Sequence, residues 1–238
     1  MKIQFIPMND QARATPPEPI KRHLPSWYKE MANTIDGKKF NAQALNEKDT
    51  ATIFTVKRCV PVSDVLTSGY LLRFGTDILI DPVTLPDGMN AFSWRYRGGD
   101  EAVSTHGHGQ MPISIGGKKH EYIKFNNHWV IKTPPGYSCL LMQPFDVENK
   151  NFTLLPGIVD TDTYDNAVNF PGYVTATEDF KINCGDPMMW VFPFKRDEWQ
   201  MDIPKTNFNP NNSKSLTKIS QVFENAYRNF FHAKKRYD

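Results

Sequence analysis

Apolar and polar positions alternate in short runs along most of the chain. From about Thr52 to Phe194 the runs TIFTVKRCVPV, GYLLRFGTDILI, FSWRYR, EYIKF, HWVIK, SCLLMQ, FTLLPGIV, FKI and MMWVFPF are rich in β-branched and aromatic residues. In FSWRYR, Phe92, Trp94 and Tyr96 face one way and Ser93, Arg95 and Arg97 the other, the period of a strand. Between the runs stand LPDG, RGGD, IGGKK, TPPG, LPG, FPG and CGDP, sequences that reverse the chain. Many short strands separated by Gly/Pro turns predict a β-sandwich or barrel over residues 51–204. The strand–helix rhythm of a parallel α/β fold is missing, and no internal repeat interrupts the pattern.

The two ends read differently. KIQFIP predicts a short edge strand stopped by Pro7, followed by the Pro-rich connector ATPPEP. Ile20, Leu24, Trp27, Tyr28 and Met31 share one helical face. Pro25 interrupts that stretch, so two short turns or a helix starting near Pro25 are expected. DGKKFNAQALNEKD reads as a polar surface excursion, and residues 1–50 as a unit packed on the core. At the other end, residues 205–238 combine the polar linker KTNFNPNNSKS with an amphipathic helix from about Ser215 to Lys234. Its face carries Leu216, Ile219, Val222, Phe223, Ala226, Tyr227 and Phe230, and Ser213 or Ser215 could cap it. That aromatic face is expected to be buried, either closing one end of the core or docking on another subunit.

Composition narrows the class. The 238 residues are 39% hydrophobic and 23% charged, a globular balance, and a net charge of +2 argues against a nucleic-acid partner. The basic end HAKKRYD complements a helix C-terminus. Cys59, Cys139 and Cys184 are odd in number and widely spaced, which reads as buried thiols and not as a disulfide framework. MKIQFIPMND holds no signal-type apolar stretch, and no run approaches the roughly 20 apolar residues of a membrane span. A protein with no membrane partner, held in a reducing cytoplasm, is expected.

Four stretches hold candidate chemistry. In STHGHGQMP, His106 and His108 on a strand would lie on one face, the start of a metal site, with His120 or His128 downstream as a third ligand; the two glycines also suit a loop in which the histidines face solvent. In NNHWVIKTPPGYSCLL, Pro134 fixes φ and Gly136 is free to adopt a positive φ, so the turn is rigid. Asp160, Asp162 and Asp165 in VDTDTYD have a spacing that suits Ca²⁺, although Asp, Thr and Asn also build ordinary turns. In WVFPFKRDEW, Lys195 and Arg196 read as the polar exit of a buried strand. No P-loop, Rossmann, GxSxG or HExxH motif occurs.

The His106/His108 pair and the Pro134–Gly136 turn resemble two segments of the cupin β-sandwiches. That resemblance implies a jelly-roll, cupin-like sandwich. It also implies a glutamate shortly after the histidine pair, where Gln110 and Met111 stand, and a further histidine where Cys139 stands. A complete cupin metal site is therefore not expected. HLPSWYKEM, KRCVPVSDVLTSGYLL, WVIKTPPGYSCLLMQP, LPGIVDTDTY with NFP, and GDPMMWVFPFKRDEW together resemble an uncharacterised family encoded by tailed bacteriophages and some bacteria. This implies a phage-like origin, with the host cytoplasm or the virion as location. On this basis the first expectation is a non-catalytic jelly-roll protein that assembles with itself or with other phage proteins. The second is a cupin-like enzyme holding a divalent metal on His106 and His108. The third is a binder of small molecules or glycans using Trp94, Tyr96 and Gln110.

Overall fold

The computed structural model describes residues 1–35, 54–98, 101–106, 108–110, 114–115, 118–145, 150–209 and 226–238. The polar excursion of residues 36–49 and most of the expected C-terminal helix, with Leu216, Ile219, Val222 and Phe223, lie outside the described residues. The chain forms two compact units. One comprises Met1–Pro19 and Gly69–Arg196, the other Ile20–Ser68 and Asp197–Asp238.

The first unit is built of strands: β1 (Gln4–Pro7), β2 (Glu18–Pro19), β3 (Tyr70–Arg73), β4 (Ile78–Thr84), β5 (Asn90–Tyr96), β6 (Val103–His106), β7 (Ser114–Ile115), β8 (Lys118–Lys119), β9 (Tyr122–Phe125), β10 (Trp129–Lys132), β11 (Tyr137–Met142), β12 (Phe152–Leu154), β13 (Gly157–Val159), β14 (Phe170–Val174), β15 (Phe180–Ile182) and β16 (Pro187–Lys195). They pair into a five-stranded sheet (β13-β11-β16-β3-β2), a four-stranded sheet (β12-β14-β9-β6), a three-stranded sheet (β15-β4-β5) and two ribbons, β1-β10 and β7-β8. The strand pairings are antiparallel. Side chains from all three larger sheets enter one apolar cluster, so the fold is the mainly β, jelly-roll-like sandwich that the strand pattern predicts.

Burial follows position in the sheet. In β16, flanked by β11 and β3, Met188, Met189, Trp190 and Val191 are all buried, which is why this segment reads as an unbroken apolar run. The two faces of the four-stranded sheet differ, although Tyr122, on the face away from the main cluster, is also fully buried. Val103, Ile123, Phe125, Phe170 and Val174 face the core, while Ser104, His106, Lys124 and Pro171 lie on the opposite face. Edge-on contacts of Phe125 with Phe74 (5.0 Å between centroids) and Phe152 (5.3 Å) fill the middle of the cluster.

Four sequence expectations need correction. Of the cysteines read as buried thiols, Cys139 is buried, but Cys59 and Cys184 are exposed. KRCVPV, expected as strand, contributes a 3-10 turn (Val56–Arg58) and a helix (Val60–Thr67). Pro61 sits in that helix's first turn, where its missing N–H costs nothing, and this outweighs the β preference of the valines. Trp94 and Tyr96 are half-buried and pack against the core, because the face they share with Phe92 is the one turned inward. At the C-terminus the described helix spans Ala226–Phe230 and stops short of Lys234. The N–H groups of Phe231 and His232 both donate to Tyr227 O, and the chain then leaves the helix. His232 Nε2 meets Asp64 Oδ1 at 3.0 Å and Lys235 Nζ meets Asp64 Oδ2 at 2.5 Å. Tyr227 and Phe230 remain exposed.

Gly172 of β14 gives a test of the packing. A Cβ built there would lie 2.3 Å from Thr153 O of the neighbouring strand β12. Gly172→Ala is expected to force the two strands apart and lower stability by about 1–3 kcal/mol in denaturant unfolding. An unchanged midpoint would mean that β12 does not pack there.

Candidate functional site

Three of the stretches singled out in the sequence meet in one place. The Pro134–Pro135–Gly136 turn is closed by Tyr137 N–H donating to Pro134 O at 3.2 Å, and Gly136 has a φ of 83°. Gly136 N–H donates to Asp162 Oδ2 at 2.8 Å, and Gly136 O accepts the Arg196 N–H at 2.8 Å. The Arg196 guanidinium holds both Asp162 oxygens: Nη1 donates to Oδ1 at 2.8 Å, and Nη2 donates to Oδ2. The same Nη1 donates to Ser138 Oγ at 3.0 Å and lies 3.1 Å from Asp160 Oδ1, which accepts from Ser138 Oγ at 2.7 Å. A planar, two-pronged cation is what a carboxylate so enclosed requires.

Electrostatics separates the two aspartates. The Asp162 side chain is 5% exposed, and its hydrogen bonds from Arg196 hold its carboxyl down to about 2. The Asp160 side chain is 62% exposed, and its Oδ2 has no partner among the described residues. Asp162 is thus part of the scaffold, whereas Asp160 presents an oxygen to solvent. Beneath them, Thr161 Oγ1 donates to Cys139 Sγ at 3.3 Å and lies 2.7 Å from Thr133 Oγ1. Burial pushes the Cys139 thiol up to about 11, so it stays protonated near neutrality and is no nucleophile. The three aspartates do not gather for Ca²⁺. Asp160 and Asp162 meet Arg196, while Asp165 pairs with Lys132.

Asp160 also lines an open groove of about 690 Å³. One side of it is the outer face of the four-stranded sheet, with His106 and Lys124; the other is the segment after β13, with Asp160, Thr163, Tyr164 and Asn169. That segment is a tight turn: Thr163 and Tyr164 N–H groups donate to Asp160 O at 3.1 and 2.9 Å. Asn169 Oδ1 accepts Asn127 N–H at 3.1 Å, which anchors the far end. His106 Nδ1 lies 3.2 Å from Gln110 Oε1, within hydrogen-bond reach.

The sequence-derived sites fare unevenly. His106 and Gln110 come together. His106 ends β6 and His108 begins a 3-10 turn (His108–Gln110), so the pair does not share a strand face. Among the described residues no three His, Cys, Asp or Glu side chains are grouped to hold a metal. Trp94 and Tyr96 belong to the core packing. Lys124 and Tyr164 were missed. Lys124 is the lone charged residue inside the strand run YIKF, and Tyr164 follows the aspartates, so each had a faint signal.

No family model matches the chain, and no curated protein does. Solved structures with similarity to it include the dUTPase of phage 80alpha, at 9% identity and a TM-score of 0.40, covering 90% of this chain and 95% of that one. The dUTPase of phage phi11 of S. aureus, described with a coordinated structural Mg(II) ion, has 10% identity and a TM-score of 0.38, covering 88% and 100%. The EIAV dUTPase has 12% identity and a TM-score of 0.34, covering 59% and 87%. These neighbours are enzymes. The non-catalytic assembly role expected from the sequence stands against these neighbours, which are named as enzymes, and is not carried forward. No described helix is long and apolar enough to cross a membrane.

Two outcomes follow from the clasp. Gly136→Val places a β-branched residue at positive φ with open space around it, so the cost is backbone strain alone, about 1–3 kcal/mol by denaturant unfolding. Asp162 has its carboxyl lowered from an ordinary 3.8 to about 2, so its contribution is complete above about pH 4 and lost as pH falls toward 2. The melting temperature of wild type should therefore fall more steeply over that window than that of Asp162→Asn. Parallel curves would show that the clasp is not formed in solution.

Proposed function

We propose that the groove binds a small phosphorylated molecule, of nucleoside phosphate type, and that Asp160 activates a water molecule to hydrolyse it. The observation carrying this reading is the company that Asp160 keeps. One groove holds an exposed carboxylate, a lysine, a histidine and the half-exposed phenol ring of Tyr164. Lys124 supplies charge and His106 a ring nitrogen for phosphate oxygens, and a ring such as Tyr164 stacks on a flat base. Its volume falls within the range of small-molecule sites, ~300–1,000 Å³. In the reaction, Asp160 takes a proton from water, the new O–P bond forms, and the bond to the departing phosphate oxygen breaks. Arg196 and Ser138 hold Asp160 Oδ1, which orients the carboxylate while Oδ2 receives the proton.

The test is a panel of ribo- and deoxyribonucleoside triphosphates, dUTP among them, with and without Mg²⁺, followed by phosphate and pyrophosphate release and by calorimetry. Asp160→Asn should retain binding and lose turnover by about 10²–10⁴-fold. Lys124→Ala should weaken binding roughly tenfold or more. Absence of both binding and hydrolysis for every member, or variants indistinguishable from wild type, would refute the reading.

A further inference from the structure

A second concavity, of about 330 Å³, lies away from Asp160 within the strand unit. Its walls are the hairpin end of β4 and β5, the residues leading into β9, and the end of β14 with the segment after it. Backbone hydrogen bonds fix these pieces. Glu121 N–H donates to Asn90 O at 2.8 Å, joining the β5 end to the approach of β9. Thr175 N–H donates to Asn151 O at 2.8 Å and its hydroxyl to Lys150 O at 2.7 Å, which holds the opposite rim.

Three rings meet there. Phe92 and His120 are each 7% exposed, and the His120 and Tyr173 rings lie 5.6 Å apart at 58°. Asn90, Glu121 and Thr175 add polar groups to the lining. No lysine or arginine is among the described lining residues, and Glu121 is their one carboxylate. Aromatic walls accept a flat ring, and a carboxylate at the wall prefers ring N–H donors and repels anions. The groove differs in setting Lys124 beside its carboxylate, Asp160.

We infer that this cleft is a separate binding site for a planar nitrogen heterocycle that is neutral or cationic and carries N–H donors toward Glu121. The ring lies against Tyr173 over the mostly buried Phe92, and the amide of Asn90 and the Thr175 hydroxyl, which accepts because it donates to Lys150 O, complete the hydrogen bonding. A cation gains further from the Tyr173 face. A phosphorylated ligand is excluded from this cleft and directed to the groove.

The experiment uses the full chain, isotopically labelled, and three probes of similar shape and different charge: 2-aminobenzimidazole (cationic), adenine (neutral) and benzoate (anionic). Backbone amide shifts are followed during titration. The expected order of affinity is 2-aminobenzimidazole, then adenine, then benzoate, with the largest shifts at Asn90, Glu121, Tyr173 and Thr175. Glu121→Gln should weaken 2-aminobenzimidazole by about tenfold or more and leave benzoate no weaker. Lys124→Ala, in the groove, should change none of these affinities. The inference is overturned if no probe shifts these amides, if benzoate binds as well as the cation, or if Glu121→Gln has no effect. Probe shifts confined to His106 and Lys124 would also overturn it while leaving the hydrolysis reading intact. Loss of nucleotide hydrolysis alone leaves the cleft untouched.

Discussion

The ion pair between Arg196 and Asp162 is the constraint around which the candidate site is arranged. Arg196 follows the last residue of β16, the long buried strand of the five-stranded sheet. Its backbone is bonded to Gly136, and its guanidinium to Asp162, Ser138 and Asp160. The turn at one end of β11 and the segment leaving β13 are therefore both tied to the exit of β16. A carboxylate as covered as Asp162 is stable in ionised form only because a fixed cation and a backbone N–H meet it. That pairing acts together with the Thr161 contacts to Cys139 and Thr133 and the Asp165–Lys132 pair to hold the 160–164 turn in place.

This arrangement divides labour between two aspartates two residues apart. Asp162 is covered and paired on both oxygens; Asp160 is held by one oxygen and open at the other. A strand would carry both side chains on the same side, but here the tight turn at Asp160 ends the strand geometry. The groove and the cleft also differ in charge. Among the described residues, the groove sets Lys124 beside Asp160, whereas the cleft has Glu121 and no lysine or arginine.

Much of the fold was legible because burial in a sandwich imposes the period-2 pattern of strands such as Phe92–Trp94–Tyr96 and the apolar run of β16. The turns were legible where glycine or proline dictated backbone geometry, as at Gly136 and the LPDG reversal. What failed had a physical cause in each case. Val60–Thr67 looks like a strand by composition, yet Pro61 at a helix start prevails. Trp94 and Tyr96 looked available as binding aromatics, but alternation cannot say which face meets the core. The site itself was visible only in fragments. Pro-Pro-Gly, the Asp160 and Asp162 stretch, and Arg196 are separated by dozens of residues, and only the pairing of β11 with β13 and β16 brings them together. The histidine pair suited either a strand face or a glycine-bearing loop, and the strand ends at His106, with a 3-10 turn from His108.

The central claim is that the clasp presents Asp160 to a phosphorylated ligand lying in the groove. A crystal structure of the protein with a non-hydrolysable nucleoside triphosphate tests it most directly. The account predicts phosphate oxygens beside Lys124 and His106, the base against Tyr164, and Asp160 Oδ2 within hydrogen-bond reach of a water in line with a phosphorus atom. A nucleotide seated elsewhere, or Asp160 turned away with the Arg196–Asp162 pair broken, would contradict it.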